Sequence, residues 1–211
     1  MREKVKLRTF VFLDNLQPQF AAYAASIGNG FLPVEGEAAL YLEVSPGMEV
    51  HPLMDVALKS VKVVPVEQEV ERRYGMLALH SPSQADVRQA GAAILDSLGM
   101  KEADRVKPKI LASHLIRRVD DHQAMLINRE DDRGMMVLAK QTLFVLEVCP
   151  AGYAVLAANE AVKAADVNIV RVRSTGAFGR VYLAGEEGEM MVASQAAIKA
   201  IEAVNGKNEE E

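Results

Sequence analysis

Runs of apolar and polar positions divide the chain into two series of elements that follow the same order. Strands are predicted for VKLRTFVFL and AALYLEV in the first half, and for PKILASHLIR and TLFVLEV in the second. Apolar residues at helical spacing follow in MEVHPLMDVALKSV and YAVLAANEAVKAA. Each half then shows a strand pair and a closing helix. Strands mixed with two helices per half predict an α+β fold for each half.

Three residues mark the ends of predicted helices. Pro52 is tolerated only in a first turn, so the helix around it is expected to begin near that residue. The closing helix of the first half, SQADVRQAGAAILDSLG, has a predicted N-cap at Ser83 and a predicted stop at Gly99.

The two series are copies of one another. LEVSP begins at Leu42 and LEVCP at Leu146, and the same spacing of 104 residues aligns Ala57 with Ala161. Carried back without a gap, this spacing also places Gln19 on Gln123 and Leu7 on Leu111. The period is too long for a solenoid unit and indicates a duplicated domain. We expect one domain over residues 1–104, a second over 105–206, and a disordered tail over 207–211.

Composition excludes several classes of protein. The net charge of −5 argues against a nucleic-acid partner, and no apolar run is long enough for a membrane helix. The lone Cys149 and the absence of a recognisable signal peptide favour a reducing cytosol. The four histidines lack the spacing of a metal site, and no catalytic triad or carboxylate pair is evident. No cofactor and no metal are therefore predicted.

The segment RVRSTGAFGRVYLAG joins two predicted strands through an unusually small connection. A Gly-x-x-Gly of this kind is compatible with a tight turn, with a phosphate cradle, or with several backbones crowding around an axis. A nucleotide loop fits poorly because the segment leads into a strand, whereas nucleotide loops lead into a helix.

The stretch from Leu146 to Gly185, with AANEAVKAADVNIVRVRSTGAFGRVYLAG, resembles the core of bacterial microcompartment shell domains. The strand and helix piece ILASHLIRRVDDHQ stands before this core, which resembles the circularly permuted form of the domain. Two permuted domains in one chain resemble the tandem, trimer-forming shell proteins, and most closely the gated tandem members from carboxysomes. The resemblance implies two tandem ferredoxin-like α+β domains, a homotrimer shaped like a hexagon, and a structural, non-enzymatic role in a cytoplasmic compartment shell. It also implies other shell proteins as partners, and leaves open whether two trimers stack.

The resemblance places both hairpin tips of each chain around a central pore that passes small metabolites. The implied pore and gate residues are Glu71, Arg72 and Arg73 in the first half, and Ser174, Thr175, Gly176 and Ala177 in the second. Long charged side chains replace small ones in the first half, so Glu71 and Arg72 are expected to close the hole. A solvent-exposed charged turn and an ordinary glycine turn remain the alternatives.

The resemblance also implies a tile edge that packs against neighbouring tiles. The residues expected there are Lys59, Lys163, Asp55, Asn159, Arg118 and His122. Asp55 and Asn159 precede the two lysines by four residues, a spacing that allows a side-chain contact on a helix. A solvated helix face is the alternative for this group.

Two other functions stay open at this stage. One is a soluble oligomeric α+β regulator that binds a metabolite between its halves, and the other is an enzyme. Assembly into trimers and sheets without catalytic turnover distinguishes the shell protein from both.

Overall fold

The computed structural model describes residues 4–129 and 134–208. The strands are β1 Lys6–Leu13, β2 Ala38–Ser45, β3 Val64–Glu71, β4 Tyr74–Ser81, β5 Lys109–Ile116, β6 Thr142–Cys149, β7 Asn168–Arg173 and β8 Gly179–Gly185. The α-helices are α1 Pro18–Ile27, α2 Val50–Ser60, α3 Gln84–Leu98, α4 Asp121–Asn128, α5 Ala154–Ala164 and α6 Glu187–Glu202. Short 3-10 turns at Gly47–Glu49 and Ala151–Tyr153 lead into α2 and α5.

Each half is built on one four-stranded antiparallel sheet, ordered β1-β2-β4-β3 in the first half and β5-β6-β8-β7 in the second. One face of each sheet packs against the last two helices of its own half. In the first half this core contains Leu40, Leu42 and Leu77 from the sheet with Leu53 and Ile94 from α2 and α3. Because side chains alternate along a strand, every second one points to the opposite face of the sheet, which can pack against another part of the protein.

The predicted α+β class is confirmed, with one more helix in each half than the apolar pattern indicated. The additional helices are α1 and α4, which are only ten and eight residues long. The predicted caps of α3 are present. The Ser83 hydroxyl accepts a hydrogen bond from the backbone N–H of Asp86 at 3.2 Å, and Gly99 ends the helix with φ 63°. Pro52 lies in the first turn of α2, which begins two residues earlier.

The ungapped alignment of the halves is wrong for their first elements. Thr9 pairs with Glu43 and Ala112 pairs with Glu147, so β1 and β5 are 103 residues apart while β2 and β6 are 104 apart. The same shift applies to Ala21 and Ala124, which are buried at matching places in α1 and α4. The structural counterpart of Leu7 is accordingly Ile110 rather than Leu111, and Gln19 corresponds to His122 rather than Gln123.

The second face of the first sheet is covered by α1 and by the second half of the chain. Phe20, Tyr23 and Tyr41 of the first half share one buried cluster with Tyr153 and Val155 of the second. The two halves are therefore joined through a continuous hydrophobic core.

The connection between the halves is held by the end of the chain. Lys207, expected in a disordered tail, instead bonds through its backbone to Arg105 and Lys107. Its Nζ lies 2.7 Å from the Asp104 carboxylate. Residues 209–211 of the predicted tail lie outside the described residues.

Candidate pore and subunit interface

The first hairpin tip is a two-residue turn between Glu71 and Tyr74. Arg72 has φ 54°, a left-handed backbone conformation that residues other than glycine rarely adopt. The Arg72 side chain is 92% exposed, and its Nε lies 3.5 Å from the Glu71 carboxylate. The tip therefore carries a weak, exposed ion pair on a tightly turned backbone.

The second tip is the loop from Ser174 to Phe178, which has more residues than the first tip but mostly small side chains. Ser174 is buried at its base, and Gly176 has φ 97°, which glycine adopts at little cost. A Cβ added at Gly176 would stand 3.5 Å from Cγ of Glu71. The two tips predicted to share a pore are thus neighbours within a single chain.

The strands that lead to the two tips carry opposite charges. Glu67 and Glu69 on β3 stand at the positions that Arg171 and Arg173 occupy on β7. Glu67 is half-buried beside Tyr41, and burial together with the adjacent Glu69 carboxylate raises its pKa to about 7. One acidic strand and one basic strand therefore lead to the two tips.

A buried ion pair anchors the interface between the halves. Arg8 Nε lies 2.8 Å from Glu43 Oε1, and the two side chains are 3% and 1% exposed. The second carboxylate oxygen, Oε2, accepts a hydrogen bond from the backbone N–H of Gly152 at 2.9 Å. The Arg8 guanidinium also lies 3.8 Å from the Tyr74 ring centroid. This contact connects the interface to the base of the first tip.

Gly152 has no room for a side chain. A Cβ at this position would stand 2.5 Å from Thr9 Oγ1 and 2.8 Å from Met76 Cε. Glycine therefore lets the 3-10 turn of the second half approach the first sheet closely enough to reach Glu43.

Further hydrogen bonds extend the interface along α1. Tyr23 Oη donates to the Val172 carbonyl at 3.2 Å and accepts from the Val172 N–H at 2.9 Å. Burial raises the pKa of the Tyr23 hydroxyl. Gln19 accepts from the Ile169 N–H. The first half thus supplies side chains to the backbone of β7.

Asn159 belongs to this interface and not to the expected tile edge. It is fully buried, accepts from the Gln17 N–H at 3.0 Å and donates to the Asn15 carbonyl at 3.3 Å. The predicted pairing of Asn159 with Lys163 is wrong, because the Asn159 side chain turns toward the first half. Lys163 instead lies 3.7 Å from the Glu160 carboxylate.

The other expected edge residues are exposed. Lys59 Nζ lies 2.7 Å from the Asp55 carboxylate, the predicted i,i+4 contact. Lys163 lines an open cleft of about 370 Å³ between the end of α5 and residues 17–19 at the start of α1. Arg118 and His122 are exposed on either side of the start of α4, and His122 lies 3.4 Å from the Asp120 carboxylate.

The described residues contain no cluster of three or more side chains suited to a metal ion. Within the same part of the chain, no helix has the length and apolar character needed to cross a membrane.

Arg8, Glu43 and Gly152 were not predicted from the sequence. An arginine and a glutamate that alternate with apolar residues in two predicted strands were a possible signal. Only the pairing of β1 with β2 shows that the two charges meet.

Comparison with known proteins supports the duplicated design. Residues 7–104 match the family described as the CsoS1D N-terminal domain, and residues 142–209 match the BMC domain family. The chain is 51% identical over 203 residues to the carboxysome shell protein CcmP of Synechococcus elongatus, covering 96% of this chain and 95% of the relative. It is 48% identical over 197 residues to the carboxysome shell protein CsoS1D of Hydrogenovibrio crunogenus, covering 93% and 96%.

Two solved structures share the whole architecture. A fused permuted hexameric shell protein from the RMM microcompartment has a TM-score of 0.91 and 44% identity, covering 95% of this chain and all of that one. A double ringed trimeric shell protein from the same microcompartment has a TM-score of 0.93 and 38% identity, covering 97% and 100%. With the paired sheets and adjacent tips, these likenesses show that the chain belongs to the tandem-domain shell proteins of bacterial microcompartments.

Proposed function

We propose that three copies of this chain form a ring with six similar sectors, and that this ring is a structural tile of a microcompartment shell with a gated pore. The family membership supports the tile, and the two halves of each chain supply the sectors. Small metabolites of the enclosed enzymes would pass through the centre, and other shell proteins would contact the rim. The role is structural, and no catalytic step is assigned to the chain.

The observation that carries this proposal is the closeness of the two tips of one chain, shown by the position of Gly176 beside the Glu71 side chain. With Glu71 beside Gly176, a threefold axis next to them would gather six tips that alternate between charged and small. The small tips leave space and present backbone N–H groups to passing anions. The charged tips fill that space when they point inward.

The charged tips are suited to switching because their ion pair is weak. Exposed ion pairs of this kind contribute about 0–1 kcal/mol, so a ligand or a facing ring that contacts one arrangement better would change the population. Glu71 and Arg72 would therefore bridge across the axis in a closed state and withdraw in an open one.

Stacking of two rings is proposed from a repeated apolar loop. Both halves expose large apolar side chains at matching positions, each more than half exposed: Phe31, Leu32, Val34, Met135, Met136 and Leu138. Backbone bonds from Phe31 to Pro65 and from Met135 to Ile169 hold the two loops along β3 and β7. Six such loops on one face of a ring would be covered at once by a second ring.

The proposal is tested first by assembly. Light scattering should give about 69 kDa, three times the 23.0 kDa chain, or twice that mass for stacked rings. Electron microscopy of concentrated protein should show flat sheets. A monomer at all concentrations would contradict the ring.

The gate is tested by the double variant Glu71→Gly/Arg72→Gly. We expect an unchanged fold and a permanently open hole, because the φ of Arg72 suits glycine and Glu71, at the end of β3, has a side chain that is 45% exposed. Arg117→Ala/Glu187→Ala removes another exposed ion pair and is the matched control. A structure of each variant measures the width of the hole. Equal widths in the parent and the tip variant, or tips far from the axis, would refute the gate.

A further inference from the structure

The interface between the two halves has a second, solvent-exposed version on the outside of the chain. In the buried version, Thr9, Glu43 and Met76 form a socket on the first sheet that receives the turn at Gly152. These three socket residues are at most 2% exposed. We call them the first-half socket.

The matching positions of the second half are Ala112, Glu147 and Arg180, the second-half socket. The registers make the correspondence unambiguous, since Glu43 is flanked by Thr9 and Met76 while Glu147 is flanked by Ala112 and Arg180. Glu147 and Arg180 are 30% and 45% exposed, in contrast to the buried first-half socket. The counterpart of Gly152 on the first half is Met48, which is 65% exposed.

We propose that the second-half socket binds Met48 of a second copy of this chain, in the manner in which the first-half socket binds Gly152. This inference rests on the ring of the proposed function and names the contact that closes it. Each chain carries one second-half socket and one Met48, so the contact runs head to tail. Head-to-tail contacts generate closed rings when the rotation between neighbours closes.

The sizes of the paired residues support this assignment. In the first-half socket, the larger Thr9 faces Gly152, because a Cβ at position 152 would collide with Thr9 Oγ1. In the second-half socket, the smaller Ala112 would face Met48. Volume removed from one side is thus added on the other, which is the kind of exchange that close packing tolerates best.

The charges support it as well. Glu43 is held by Arg8 on β1, whereas the position matching Arg8 is Leu111. The second half replaces the missing cation with Arg180 on β8, whose Nε lies 2.7 Å from Glu147 Oε2. The Glu147 carboxylate is therefore oriented by an arginine as Glu43 is, with one oxygen left to accept the Met48 N–H of the neighbour.

The contact between chains is chemically distinct from the one within the chain. Leu126 and Pro65 stand where Tyr23 and Ile169 make hydrogen bonds between the halves, and neither side chain nor ring nitrogen can reproduce them. The hydrogen bond from the Met48 N–H to the Glu147 carboxylate is therefore the one that the contact between chains can keep.

A size-exchange experiment tests the assignment on the full chain. Ala112→Thr alone should weaken trimer formation, because Thr would meet Met48. Met48→Gly alone should weaken it through lost packing. The double variant Ala112→Thr/Met48→Gly recreates the Thr–Gly pair and should assemble more tightly than Ala112→Thr. Sedimentation velocity over a range of concentrations measures assembly, and circular dichroism checks folding.

Glu147→Ala should weaken each contact by roughly tenfold or more, as expected for a lost hydrogen bond to a charged group. Glu160→Ala removes a carboxylate of similar exposure outside the socket, paired with Lys163, and should leave assembly unchanged. A trimeric parent whose assembly is insensitive to Ala112→Thr and to Glu147→Ala would overturn this inference and leave the ring intact. A parent that is monomeric at every concentration would overturn both.

Cross-linking gives a second readout that does not depend on affinity. In a Cys149→Ser background, Ala112→Cys/Met48→Cys should form covalent links between chains under mild oxidation, since a Cβ at the matching Gly152 position would lie 2.5 Å from the side-chain oxygen of Thr9. On a non-reducing gel these links would appear as bands of two or three chains, a ladder that variants with only one of the two new cysteines should not form. Absence of the ladder in the double variant of a trimeric protein would contradict the placement of Met48 in the socket.

Discussion

Replacing Arg8 by methionine is the sharpest test of how the two halves are held together. Arg8 and Glu43 form a 2.8 Å ion pair that is almost completely shielded from water. Arg8→Met removes the guanidinium from the buried Glu43 carboxylate, and breaking a buried pair in this way typically costs about 3–5 kcal/mol. The variant also loses the contact of the guanidinium with the Tyr74 ring. We therefore expect the free energy of unfolding to fall by at least about 3 kcal/mol.

Two further variants separate the effect of breaking the ion pair with Glu43 from the effect of losing the packing of the Arg8 side chain. Arg8→Met/Glu43→Gln removes the charge yet keeps an oxygen that accepts the Gly152 N–H, so it should recover part of the loss. Arg117→Met breaks an ion pair with Glu187 in which both side chains are 53% exposed, and it should cost no more than about 1 kcal/mol. Urea denaturation at one fixed chain concentration measures all four proteins, since assembly makes stability depend on concentration.

The size of the loss decides whether the reasoning holds. A deficit of Arg8→Met below about 1 kcal/mol at pH 8, no larger than that expected for the exposed pair in Arg117→Met, would refute it.

Three further outcomes are expected. Gly152→Ala should lower the free energy of unfolding by about 1–3 kcal/mol, because its Cβ overlaps Thr9, and a melting temperature equal to that of the parent would contradict this. Burial raises the pKa of Glu67 from 4.5 to about 7, so stability should fall as the pH rises from about 4.5 through 7, by at most about 3 kcal/mol. Glu67→Gln should flatten this fall in pH-dependent denaturation, and an unchanged pH profile would contradict the assignment. Lys59→Asp/Lys163→Asp should leave trimers intact and abolish sheets in electron micrographs, since both lysines are exposed; persistent sheets would place the edge elsewhere.

The apolar pattern predicted the eight strands and the four longer helices, because each buries one face over at least two turns or one full strand. It did not predict α1 and α4. Both helices are short. The apolar residues of α1 pack against the second half of the chain, which is distant in sequence, so their spacing is not set by the neighbouring residues. Local capping chemistry was readable at Ser83 and Gly99, where a side chain or a left-handed φ acts on adjacent backbone.

The duplication and the candidate tips at Glu71 and Gly176 were determined by the sequence alone, since repeated motifs and hairpin turns are local properties of a chain. Only the tertiary structure decided the partners of residues far apart. Asn159 was expected beside Lys163 on a helix face, yet it is buried against Gln17. The single-residue shift between the first elements of the halves likewise appears only in the strand registers, because an insertion in a loop leaves the pattern of each strand unchanged.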